Sequence, residues 1–259
     1  WDATLNYSRN KNKIVKIKEG LTEIIVGSHF GYINSGVTLK YVPGYAVGNL
    51  YGTSFLRYYG GKADDKVTFQ KDLPMVIATT GSNAGFPIPD LTQRILGNSQ
   101  PKWMGGITNT LSYKNLRLSF LIETQQGQDR YNQLGNFMAA FGIAKYTEDR
   151  TTYKVFPGVL ADGSPNTQSV YLGMGKTGTD PRDYGNGYYR NIFRTVSEPF
   201  VEDASWTRLR YLSLSYRLPI QFLKTNVIKG VTVTFTGNNL ILWTNYSGFD
   251  PETSSMPAS

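Results

Sequence analysis

The side chains that could do chemistry are few. The chain holds one histidine, His29, and no cysteine, so a Ser-His-Asp triad, a Cys-His pair or an imidazole-based metal site would all have to be built around that single residue. Its neighbours, "VGSHFGY", carry no carboxylate to orient or activate it, and it is read as structural or solvent-facing. Adjacent acids occur at Asp64 and Asp65 and at Glu148 and Asp149. Both pairs sit in polar text and read as solvated surface; glycoside hydrolysis needs two carboxyls across a set spatial gap.

"GMGKTG", residues 173 to 178, looks like a phosphate loop only on the surface. The first glycine of Gly-x-x-x-x-Gly-Lys-Ser/Thr is missing at the required spacing, and no helical pattern follows. Just beyond it, "GTDPRDYGNGYYRN" gathers Asp183, Tyr184, Tyr188, Tyr189 and Arg190. Aromatic rings beside polar groups can stack on sugars or clamp peptides, so these five are the candidate ligand contacts; a plain aromatic loop is the competing reading. No catalytic constellation, metal site or cofactor site emerges.

These residues must be positioned by strands. The composition, with 27 Gly, 18 Tyr and 13 Phe in 259 residues, favours turns and pleated surfaces over helices. A formal charge of +8 is spread along the chain except for "RNKNKIVKIK", residues 9 to 18, which reads as a solvated strand end and not as a nucleic-acid site. No apolar run approaches the roughly 20 residues of a spanning helix, and the first residues form no signal peptide. Absence of cysteine leaves the compartment open.

Period-two patterning recurs along the chain. Trp1, Ala3, Leu5 and Tyr7 oppose Asp2, Thr4, Asn6 and Ser8; Leu212, Leu214 and Tyr216 oppose Ser213, Ser215 and Arg217; Val231, Val233 and Phe235 oppose Thr232, Thr234 and Thr236. In "WMGGITNTLSYKNLRLSFLIE" the pair Lys114-Asn115 suits a two-residue hairpin loop, with Asn115 the residue expected at positive φ. That loop pairs Tyr113 with Leu116, Leu111 with Leu118, Asn109 with Phe120 and Ile107 with Ile122. Ser112 then meets Arg117 and Thr110 meets Ser119 on the other face. Asn109 and Leu121 break the pattern.

A water-soluble sandwich would bury the apolar faces; a transmembrane barrel would turn them to lipid and keep the Thr, Ser, Asn and Arg faces wet. Strands of about ten residues fit a tilted bilayer crossing. Trp1, Trp103, Tyr113, Trp206, Tyr216 and Trp243 lie near strand ends, where an interfacial girdle belongs. The minimal turn at 114 to 115 contrasts with the stretch from 127 to 205, an asymmetry of short periplasmic turns and long extracellular loops. Strands are expected at 103–113, 115–125, 206–217 and 231–243, with 1–13 and 44–57 preceding them. Inside the long loop, Leu134, Phe137, Met138 and Phe141 have helical spacing, and a short helix packing by that face on the loop's own core is expected.

The runs 97–127, 200–219 and 231–252, above all "EDASWTRLRYLSLSYRLP" and "NNLILWTNYSGFDPE", resemble the C-terminal barrel half of SusC-like TonB-dependent outer-membrane transporters; "WDATLNYSRNKNKIVKI" and "VGNLYG" are similar in the same order. The resemblance implies an all-β fold: an antiparallel transmembrane β-barrel, part of a large plugged barrel of about 22 strands, with residues 1–259 contributing about six or seven of them. It implies an active importer of oligosaccharides or peptides in a Gram-negative outer membrane, capped by a SusD-like surface lipoprotein and energised by TonB through a plug. Plug, TonB box and N-terminal extension have no counterpart here and are expected upstream of Trp1; "ETSSMPAS" reads as extracellular-loop text with further strand expected after it. A passive porin or adhesin barrel and a soluble glycan-binding module are the alternatives.

Overall fold

The computed structural model describes residues 1–29, 35–62, 64, 66–174, 187–219 and 230–252, which fall into two compact units. The first comprises Trp1–Lys11, Pro101–Gln128 and Asp203–Tyr246. It is one antiparallel sheet of β1 (Asp2–Ser8), β6 (Trp103–Tyr113), β7 (Leu116–Gln126), β12 (Trp206–Leu218) and β13 (Val231–Thr244), in that spatial order. Every expected pair of the β6–β7 hairpin occurs, from Tyr113 opposite Leu116 out to Ile107 opposite Ile122, and the pairing continues to Trp103 opposite Gln126. The tight turn differs in one detail: the positive φ, 52°, falls on Lys114 and not on Asn115.

Alternation gives this sheet two distinct faces. One carries Leu5, Tyr7, Ile107, Leu111, Leu116, Leu212, Leu214, Tyr216, Val233, Phe235, Ile241 and Trp243, all exposed. So large an apolar surface does not occur on a soluble monomer without a function. The misfit Asn109 is accommodated on this face because the Trp1 indole N–H donates to its Oδ1 at 2.6 Å. Leu121 points to the opposite face, beside Gly106, where a glycine leaves room for it.

The second unit comprises Asn12–Gln100, Asp129–Glu202 and the residues from Ser247. Its sheet runs β2 (Ile24–His29), β3 (Val37–Tyr41), β4 (Asn49–Phe55) and β5 (Pro89–Asn98). The strand expected within 44–57 therefore exists but belongs to this sheet, and its residues are buried on both faces. The described residues of the stretch from 127 to 205 are folded as well. They contain β8 (Asp129–Tyr131), α1 (Gln133–Phe141), β9 (Tyr153–Val155), β10 (Ser169–Tyr171), α2 (Gly187–Asn191) and β11 (Val201–Asp203). Asn132 caps α1, its Oδ1 accepting the Gly135 N–H at 2.8 Å.

The buried side of α1 is not the expected one. Asn136, Ala139 and Ala140 face inward, while Leu134 and Phe141 are exposed. Small side chains let the helix backbone approach its neighbours, and the Asn136 amide donates to the Arg194 carbonyl at 3.0 Å.

A buried ion pair clamps this unit. The Arg57 guanidinium donates to Glu198 Oε1, and Glu198 Oε2 accepts the Phe55 N–H at 2.9 Å. Burial pushes the Glu198 carboxyl up, against the lowering influence of Arg57. Removing one partner strands the other charge in a dry site. Glu198→Ala is therefore expected to cost the unit about 3 to 5 kcal/mol, with Glu198→Gln losing less because it still accepts hydrogen bonds; urea-dependent proteolysis within residues 129–202 measures both.

Candidate functional site

The polar face of the five-stranded sheet is a ladder of hydroxyls. Thr110 bonds Ser119 at 3.2 Å and Ser119 bonds the Tyr211 hydroxyl at 3.3 Å; Ser213–Thr236 and Ser215–Thr234 follow at 2.9 Å each. Such side chains satisfy one another across the strands and still present polar atoms outward.

Toward the end of the sheet where the long connection begins, the ladder gives way to a charged and aromatic cluster formed by two bulges. Arg210 is an extra residue on β12 relative to β7, where Leu209 faces Ile122 and Tyr211 faces Leu121. On β13, Asn239 and Leu240 are the pair inserted between Asn238 and Ile241, and Asn239 takes a φ of 51°. The bulge turns Arg210 onto the polar face. Its Nε donates to Glu123 Oε2 at 2.5 Å and its Nη1 to Asn239 Oδ1 at 3.2 Å. The Arg210 and Arg208 guanidinium carbons lie 5.2 and 5.7 Å from the Trp206 ring centroid. Trp206, expected in an interfacial girdle, is instead buried on the polar face, because the bulge changes which residues of β12 share a side. None of Glu123, Arg208, Arg210 or Asn239 was singled out from sequence. The available signal was the three-residue spacing from Leu209 to Leu212, which breaks period two.

The candidate ligand contacts lie elsewhere. Tyr188 and Tyr189 are buried, at 6% and 5% exposure, and belong to an aromatic core with Phe86, Phe156 and Phe193. The Tyr189 hydroxyl donates toward the Tyr146 carbonyl at 2.9 Å and Asp149 Oδ1 at 2.5 Å. Asp149 is thus a structural acceptor, not simply solvated surface. Their rings are packed against one another and against these phenylalanines. Arg190 is partly exposed, and its carbonyl accepts from Arg194. Asp183 and Tyr184, like most of "GMGKTG", lie outside the described residues.

Asp64 is also more than surface: it receives Arg94 at 2.7 Å, and Asp90 approaches the same guanidinium at 3.4 Å. The hydrogen bond from Arg94 holds the Asp64 carboxyl below its ordinary value. Asp65 is outside the described residues, and of His29 only the backbone is described, within β2. Among the described residues no group of three or more His, Cys, Asp or Glu could hold a metal ion.

A sheet that is apolar and exposed on one face and hydroxyl-lined on the other, with a minimal turn at one end and a folded connection at the other, is a wall of the transmembrane β-barrel class. The comparisons specify which barrels it matches. No family model matches the chain. TonB-dependent receptor P26 of Formosa agariphila is 28% identical over 99% of the chain, and TonB-dependent receptor P3 of the same organism is 27% identical over 97%. The chain covers 24% and 23% of those proteins, about a quarter of their length. Among solved structures it is similar to the RagAB peptide transporter (TM-score 0.54, 21% identity, 96% of this chain and 24% of that one) and to the RagAB peptide importer in the closed-closed state (TM-score 0.55, 22% identity, the same coverage). The fold is that of the corresponding portion of a TonB-dependent receptor barrel, as the sequence resemblance implied.

The buried tyrosines give a measurable consequence. Burial, and for Tyr189 the Asp149 carboxylate as well, raises both phenols above the ordinary value near 10. Between that value and the raised ones, the folded loop keeps protons that the unfolded loop releases. Stability is therefore level up to about pH 10 and falls above it. Titration at 295 nm should show a late phase that coincides with unfolding and shrinks by two phenols in Tyr188→Phe/Tyr189→Phe, the Tyr131 and Tyr146 phenols, which burial also raises, remaining in it.

Proposed function

We propose that this chain is part of the barrel wall and one folded external loop assembly of an active outer-membrane importer. The observation that carries the reading is the two-faced sheet, whose apolar side is exposed along all five strands and whose hydroxyl ladder faces the other way. The apolar side meets lipid and the hydroxyl side lines the lumen. The importer takes oligosaccharides or peptides, is energised by TonB through a plug, and works with a SusD-like surface lipoprotein. Its location is the outer membrane of a Gram-negative bacterium. Support comes from receptors that match nearly the whole chain and from the fold shared with RagAB.

The structure describes β1 and β13 as paired on one side only. In hydrocarbon an unpaired strand edge costs several kcal/mol per group, so each edge must meet another strand of the closed barrel. No covalent chemistry is assigned to it: the rigid wall positions loops, and the loops together with Arg210 and Glu123 face the solute, with Trp206 packed behind them. Ligand contact by Asp183, Tyr184 and Arg190 stays part of the proposal, whereas Tyr188 and Tyr189 serve by holding the loop core.

Two experiments test this. Uptake of labelled oligosaccharides and short peptides by cells carrying the protein should fall to background on deleting either it or TonB; uptake that persists without TonB would indicate a passive porin. Leu214→Arg, on the lipid-facing side, should destabilise the barrel by about 2 to 4 kcal/mol near the bilayer midplane, as measured by urea titration in vesicles. Ser213→Arg, one residue away, should cost far less. Equal costs would contradict the assignment of faces.

A further inference from the structure

Strand β1 ends in a run that the barrel reading leaves unused. Trp1, Ala3, Leu5 and Tyr7 share the apolar face, and Tyr7 stacks on Trp103 with ring centroids 6.1 Å apart. Ser8 pairs with Met104, so the strand finishes at the end of the sheet where β7 closes at Gln126 and the long connection begins. On the barrel reading this is the outer side, and the Tyr7–Trp103 stack is an interfacial anchor.

The next residues of the same parity as Tyr7 are Arg9 and Lys11, both exposed. At about 3.3 Å per residue they stand roughly 7 Å apart if the extended course continues. The run goes on through Lys13, Lys16 and Lys18, also exposed, and contains no carboxylate before Glu19. Among the described residues, none of these five cations makes an ion pair.

We propose that Arg9 and Lys11 form a docking surface for the phosphorylated headgroup of an outer-leaflet lipid whose acyl chains lie on Leu5, Tyr7 and Ile107. The charge complements phosphate, the aromatic stack sits at headgroup level, and the apolar strand face lies directly below. This inference rests on the barrel reading given above.

The test uses the whole protein that carries this sequence, purified in detergent, with lipid A and phosphatase-treated lipid A as the probes and native mass spectrometry as the readout. Wild-type protein should retain lipid A in strong preference to the dephosphorylated form. Arg9→Gln/Lys11→Gln should weaken lipid A retention on the order of fivefold for each cation removed, leave retention of the dephosphorylated lipid unchanged, and lose its salt sensitivity. The charge-keeping variant Arg9→Lys/Lys11→Arg should behave as wild type, which separates lost charge from misfolding. Unchanged selectivity in the Gln variant would overturn the headgroup assignment. A spin label at Leu5 in vesicles keeps the two readings apart: lipid contact there with unchanged selectivity sinks only the headgroup assignment, whereas a water-exposed label sinks the barrel reading as well.

Discussion

Backbone pairing is the constraint from which the rest of this structure follows. A strand in a bilayer has no water to satisfy its N–H and C=O groups, so each must be met by a neighbouring strand. The five-stranded sheet obeys this from Trp103 opposite Gln126 to Tyr113 opposite Leu116, and along β12 against both of its neighbours. Once register is fixed, the side chains have no freedom of face. Leu212, Leu214 and Tyr216 share one side, and Ser213 and Ser215 are bound to the hydroxyls of β13 on the other. The two bulges are where the constraint is relaxed, and they turn Arg210 toward Glu123 and Asn239.

The second unit follows different physics. It has a protein-like interior of aromatic rings, with Tyr188 packed against Phe86 and Phe156. Buried polar groups there are answered one by one, as when Thr53 and Ser197 exchange hydrogen bonds with each other's side chain and backbone. The "NYSG" text after β13 is built into the same network: Ser247 donates to Glu202 through both its N–H and its hydroxyl, and Glu202 also receives the Asn132 amide that belongs to the α1 cap. A loop assembly with its own core can present a defined surface to a solute, which an irregular loop of that length could not.

How much of this was legible depended on periodicity. The hairpin register could be read residue by residue because turn and pattern selected the same pairing. The strand at 49–55 could be found but not placed, since period two does not say which sheet a strand joins. The helix at 133–141 was visible from its spacing, yet its buried side was not. Ala139, Ala140 and Asn136 pack by close approach and a hydrogen bond, and hydrophobicity ranks Leu134 and Phe141 above them. An aromatic-polar cluster such as that around Tyr188 and Tyr189 looks the same in sequence whether its rings face solvent or one another. Only tertiary packing distinguishes those cases.

The central claim is that alternate residues of β12 face lipid and water. Spin labels placed singly from Tyr211 to Arg217 in the whole protein, reconstituted in bilayers, measure this directly through collision with oxygen and with a water-soluble nickel chelate. The account predicts that positions 212, 214 and 216 favour oxygen and positions 213 and 215 favour nickel, in strict alternation. Uniform access to nickel along the strand would contradict it and return the sheet to the surface of a soluble protein.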